Sequence, residues 1–111
     1  MSDIERFIQA VQNEEFAPAH EMLEHDWLEY KKTYRANDDQ TAYKKAKALQ
    51  GLINGTTALA LYKKGKIQSY EKVWSTFLKY EHYLNEITLP QHNYFLQAQK
   101  LLHIKNKNIT S

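Results

Sequence analysis

The sequence predicts an all-α fold of about five helices, two stacked helical hairpins around a buried central helix in tetratricopeptide-like packing. Three observations predict it. Apolar residues recur three and four apart along most of the chain. Only three Gly and two Pro are present, too few for the turns of a many-stranded β fold. Residues 48–62 carry no charged side chain, which suits a helix covered on nearly every side.

Each element has its own local reason. Ser2 or Asp3 can cap a first helix to residue 12, with Ile4, Phe7, Ile8 and Val11 at helical spacing. Pro18 sits in the first turn of a second helix expected over 16–35, where a proline is tolerated. Residues 36–39, Ala-Asn-Asp-Asp, break the pattern and offer caps for a third helix over 40–64. In that helix Gly51, Gly55 and Ala58 make a stripe of small residues, so a neighbouring backbone can approach closely. Gly65 stands where a helix is closed by a left-handed residue. A fourth helix is expected over 67–85, with Val73, Trp74, Phe77, Leu78, Tyr80 and Leu84 inward, and a last one that starts at Thr88-Leu89-Pro90. A weak echo relates NEEFAPAHEMLEHDWL to KGKIQSYEKVWSTFLK, pairing Phe16 with Ile67, Leu23 with Trp74 and Trp27 with Leu78. The chain's 111 residues suit one domain over 1–104, with 105–111 as a frayed polar tail.

Composition narrows the function classes. Fifteen Lys and Arg against 13 Asp and Glu leave a net charge of +2, which does not argue for nucleic-acid binding. The lysine pairs Lys31/Lys32, Lys44/Lys45 and Lys63/Lys64 read as solvated helix faces, since Arg, the better phosphate ligand, is scarce. With no cysteine there is no disulfide framework, thiolate nucleophile or zinc ribbon. No apolar run is long enough to span a bilayer and the amino terminus does not read as a secretory signal, so a cytoplasmic protein without membrane contact is expected.

The chemistry-bearing residues concentrate in HEMLEHDW, His20 to Trp27. On a helical wheel Phe16, Leu23, Trp27, Tyr30 and Tyr34 share a stripe, with His20 and Glu24 along its edge and Glu21, His25 and Asp26 turned away. A zincin needs HExxH, but the position four after His20 is Glu24; a di-iron bundle needs ExxH, which is absent. The recurring spacing is HxxxE, as His20/Glu24, His25/Glu29 and His82/Glu86, which is ordinary on helix surfaces. Neither a metal nor another cofactor is assigned. Gln50 and Asn54, one turn apart in the uncharged stretch, need partners if buried, and His20 and Glu24 are placed to supply them.

These motifs resemble a known family. EFAPAHEMLEHDW followed by KALQGLINGTTALALYKKGK is similar to the domain of unknown function 309 family, whose pattern is approximately EAHExxExxW and then LQGLIQxAxALxxxxxGN. The resemblance covers roughly residues 14–72 and carries over to His20, Glu21, Glu24 and Trp27, then Gln50, Gly51, Leu52 and Ile53. Asn54 stands where the family usually has Gln, and Lys66 where it has Asn. The resemblance implies a small all-helical prokaryotic protein and brings no biochemical activity with it.

Two functions compete. In the preferred one, the protein is a noncatalytic module for binding a protein partner or a second copy of itself, and His20, Glu24, Gln50 and Asn54 form a polar lock between helices. In the alternative, a small-molecule or metal-dependent enzyme uses His20 and Glu24 as acid and base in an inter-helix pocket walled by Trp27. No nucleophile, phosphate loop or complete triad accompanies the pair.

Overall fold

The computed structural model describes residues 1–111. Its α-helices are α1 (Asp3–Gln12), α2 (Phe16–Met22), α3 (Glu24–Asn37), α4 (Gln40–Lys63), α5 (Ile67–Tyr80) and α6 (His92–Thr110), with a 3-10 turn over Glu81–Asn85. The fold is all-α, as the periodicity predicts.

Local chemistry sets the helix ends. Ser2 caps α1 in a reciprocal box with Glu5: the Ser2 hydroxyl accepts from Glu5 N, and Glu5 accepts from Ser2 N. Asp38, in the left-handed region at φ 50°, ends α3, and the Asp39 carboxylate accepts from Ala42 N at 3.1 Å to start α4. Gly65, at φ 77°, closes α4 while Lys66 N reaches back to Leu61 O.

Helix α4 is the inner member of both hairpins. It packs against α2, α3, α5, α6 and the 3-10 turn, whereas α1 lies against α2 and α6. Gly51 and Gly55 are buried, and a Cβ at Gly55 would stand 2.9 Å from Leu102 Cδ1 and 3.4 Å from Phe77 Cγ. Each glycine lowers helix propensity by about 1 kcal/mol relative to alanine. The close approach offsets this by sealing Phe77 and Leu102, both fully buried, where each gains about 1.5–3 kcal/mol from lost water contact. The polar groups of α4 turn to its own backbone: Thr56 and Thr57 both donate to Ile53 O.

Four expectations are corrected. The second helix is broken at Leu23, a buried residue at φ −103°, ψ −2°, so α2 and α3 are separate segments. The fourth tightens after Tyr80 into a 3-10 turn that inserts Leu84 into the core. The last starts at His92, because Leu89 is buried and its N–H is taken by His92 Nδ1. The tail expected from residue 105 instead continues α6 to Thr110, held by Lys105 to Glu14 and by Tyr70 to Asn106. The echo between segments holds at Leu23 and Trp74, both buried, but Ile67 and Leu78 are 42% and 46% exposed, unlike buried Phe16 and half-buried Trp27.

Glu14 joins three segments. In a left-handed turn at φ 59°, it accepts from Lys63 at the end of α4 (2.9 Å) and from Lys105 of α6 (3.3 Å), one on each oxygen. Hydrogen bonds from Lys63 and then Lys105 hold its carboxyl below the usual 4.5.

Two outcomes follow. Gly55→Val should lose about 2 kcal/mol by overpacking against Phe77 and Leu102; an unchanged thermal midpoint would contradict the close approach. Because folding lowers the Glu14 pKa, its stabilisation is complete above the unfolded value and is lost as pH falls through the folded one. Glu14→Gln should therefore lower the melting temperature at neutral pH, and the gap should narrow as the pH is taken below the usual carboxylate range. A gap that persists in acid rules out the ion pairs as its source.

Candidate functional site

The break at Leu23 governs the first motif. His20 belongs to α2 and Glu24 opens α3, so the pair spans a joint, not a continuous helix face. His20 Nδ1 sits against the Ala17 carbonyl, which can only accept, so the ring donates there. Nε2 then carries a proton towards Glu24, 3.6 Å away, only when the imidazole is charged. The two side chains are 35% and 45% exposed. Glu21 faces solvent.

The inter-helix lock expected from His20, Glu24, Gln50 and Asn54 is not formed. Asn54 Nδ2 donates to Gln50 O one turn back at 2.8 Å, and Gln50 Oε1 accepts from Lys47 Nζ at 3.3 Å. Both contacts stay within α4, where a side chain can reach a backbone carbonyl one turn back or a neighbouring side chain three residues away. Neither His20 nor Glu24 lines any of the five principal clefts.

Trp27 and Gln50 do meet, in a different place. A cleft of about 240 Å³ runs between α3 and α4. From α3 come Trp27, Lys31, Tyr34 and Arg35, and from α4 come Tyr43, Ala46, Lys47 and Gln50. Trp27 is followed by Lys31 and then by Tyr34 and Arg35, and Tyr43 by Ala46 and Lys47 and then Gln50, steps of three or four that keep each set on one helix face. Lys31 Nζ lies 4.3 Å over the Trp27 ring, and Lys47 Nζ is 5.5 Å from Tyr43 and 4.8 Å from Tyr80. Tyr34 and Tyr43 bridge the helices with ring centroids 5.0 Å apart. The lining thus holds three cations, three aromatic rings and an amide, and no carboxylate. Trp27 packs against the core while its indole N–H is buried without a protein partner.

On its other side α3 borders a groove of contrasting character. About 340 Å³ in volume, it brings Asp3 and Asp26 over Ile4, Leu49 and Phe95. Tyr30 lines it too; burial first, and then the Asp26 charge, raise the phenol above its usual 10.0, so its hydroxyl stays a donor.

Sequence reasoning passed over two arrangements. Lys31 reads as a solvated charge and Arg35 and Lys47 draw no reading, although their offsets of four and eight from Trp27 and of three from Gln50 place them beside motif residues. Glu81 accepts from both Gln99 and His103 at 2.8 Å, joining the 3-10 turn to one face of α6; only Gln99 and His103, four apart, carried any signal of it. Two of the three HxxxE pairs meet, His20/Glu24 and His82/Glu86, whereas Glu29 turns to Lys32. No group of three or more His, Asp or Glu gathers closely enough to hold a metal ion, and no helix is long and apolar enough to cross a membrane.

An all-helical chain with a cation-rich aromatic cleft between α3 and α4 is the class that fold and site define. The chain belongs to the family described as domain of unknown function (DUF309), whose model matches residues 4–73. Comparison with curated proteins and with solved structures finds no match.

The half-exposed His20/Glu24 pair sets a modest expectation. His20→Ala combined with Glu24→Gln should cost less than about 1 kcal/mol, the range of exposed ion pairs, well short of the effect of unpairing a buried network. Urea unfolding measures it, and a loss of several kcal/mol would restore the polar lock.

Proposed function

We propose that the chain is a noncatalytic binding module that recognises a protein partner at the α3/α4 cleft. The observation that carries this reading is the meeting of Trp27 and Gln50, one from each motif, at a single solvent-open surface. Three rings from two helices give it an apolar body, and the lysine ammonium groups above them give it a polar rim. Aromatic residues flanked by long cationic side chains are the composition from which protein recognition surfaces draw their energy. His20 and Glu24 serve in this reading as supports of the α2/α3 joint. The acid–base alternative built on them draws less support, since neither side chain lines any of the five principal clefts.

Photo-crosslinking tests the module. With benzoylphenylalanine replacing the exposed rim residue Arg35, cells expressing the chain should yield a discrete protease-sensitive adduct. The same probe at Lys107 on α6 should yield none, and Tyr34→Ala should remove the Arg35 adduct while leaving the fold intact. Indistinguishable adducts from both positions would refute the reading, and an adduct of twice the chain mass would make the partner a second copy.

A further inference from the structure

The lysines of the chain include some paired with carboxylates and some not, and the cleft draws on the second group. Lys32, Lys44, Lys63 and Lys105 each lie within 3.6 Å of a carboxylate of this chain. Lys31 and Lys47 instead sit over aromatic rings, and with Arg35 they face a cleft whose lining contains no acid. Three cations close to one small opening repel one another and raise the local positive potential, which an anion entering from outside relieves.

Size and shape select among anions. At about 240 Å³ the cleft is below the range of roughly 300–1,000 Å³ that encloses a free small molecule. It has room for one bulky side chain whose backbone remains outside. The rim is set for groups on either side of that side chain, because Lys31 and Arg35 stand one turn apart on α3 and Lys47 stands opposite on α4. Two of the three cations are lysines, compact point charges, where planar phosphate recognition favours arginine forks. Aromatic walls favour an aromatic or large apolar insert by stacking.

Resting on the reading of this cleft as a binding surface, we infer that its occupant is an acidic peptide segment of a partner protein. One aromatic side chain enters between Trp27, Tyr34 and Tyr43, and flanking carboxylates pair with Lys31, Arg35 and Lys47.

Nitrogen–proton correlation spectra of the full chain test this, because Trp27 and Trp74 supply two indole signals, one at the cleft and one against Phe77 and His103. Titration with acetyl-Glu-Asp-Phe-Glu-Asp-amide should move the Trp27 signal and leave that of Trp74 in place. Raising salt from about 0.05 to about 0.5 M should weaken binding severalfold, since exposed charges are screened over a shorter distance. Lys31→Glu with Lys47→Glu should weaken it at least tenfold and admit the peptide with lysines in place of its acids. Lys100→Glu with Lys107→Glu, on α6, should leave it unchanged. If the double cleft variant loses its native spectrum, Arg35→Glu alone should still weaken binding severalfold.

Equal response to the acidic and basic peptides, or no response of Trp27, would overturn the inference. Tighter binding of a ten-residue oligothymidine would overturn it in favour of nucleic acid, and saturation by inorganic phosphate alone would make the cleft a simple anion site. If a discrete adduct still forms at Arg35 while the acidic peptide fails, the binding module stands and only its ligand chemistry falls.

Discussion

The close approach along α4 is the constraint on which the other elements depend. A helix without charge from Ala48 to Tyr62 has little surface to give to water, so other elements must cover most of it. Gly51 and Gly55 decide which cover comes nearest: a Cβ at Gly51 would stand 3.3 Å from Tyr80 Cβ, and one at Gly55 would press on Leu102 and Phe77. The end of α5 and the middle of α6 therefore claim the small-residue side. What remains for α3 is a side bearing Tyr43, Lys47 and Gln50, which is too bulky and too polar for tight packing. The cleft is the geometric remainder of that asymmetry, and its wetness has the same origin as the dryness of the opposite contact.

Helix α3 consequently has no fully buried residue, although it packs along α4. Its side chains divide by face between a cationic cleft and an acidic groove, four residues separating Trp27 from Lys31 on one face and Asp26 from Tyr30 on the other. A helix held by half-buried aromatics and cation–π contacts, each about 0.5–1 kcal/mol at exposed sites, is secured more weakly than one with leucines in a core. Binding surfaces are commonly drawn from the less tightly held parts of a fold.

How much was legible in the residues follows from how local each feature is. The cap at Ser2, the stop at Gly65 and the burial of α4 were legible because each rests on a few neighbouring residues: a hydroxyl and a carboxylate three apart, one left-handed glycine, fifteen uncharged positions. The break at Leu23 was not, because apolar periodicity continues across it and nothing in HEMLEHDW forbids a straight helix. Extending the wheel through that joint is what carried His20 and Glu24 towards Gln50 and Asn54. The cleft was hidden for a related reason. Solvated lysines and lysines resting on rings look the same in sequence, and only the pairing of α3 with α4 brings Lys47 opposite Trp27.

The placing of α1 against α6 has a consequence for the order in which the molecule can be completed. The bonds at their ends, Gln91 before α6 to Glu5 and Lys105 to Glu14 just after α1, join residues 86 and 91 positions apart, whereas the two hairpins on α4 close over short loops. Contacts of short reach form early because little chain entropy is lost in closing them, and the longest loop closes last. During synthesis α1 emerges well before α6, which begins at His92, and waits for it. A nascent chain halted before that point would present an unfinished apolar seam, the kind of surface on which chaperones and neighbouring chains act. Helix α6 is thus what closes the seam left by α1.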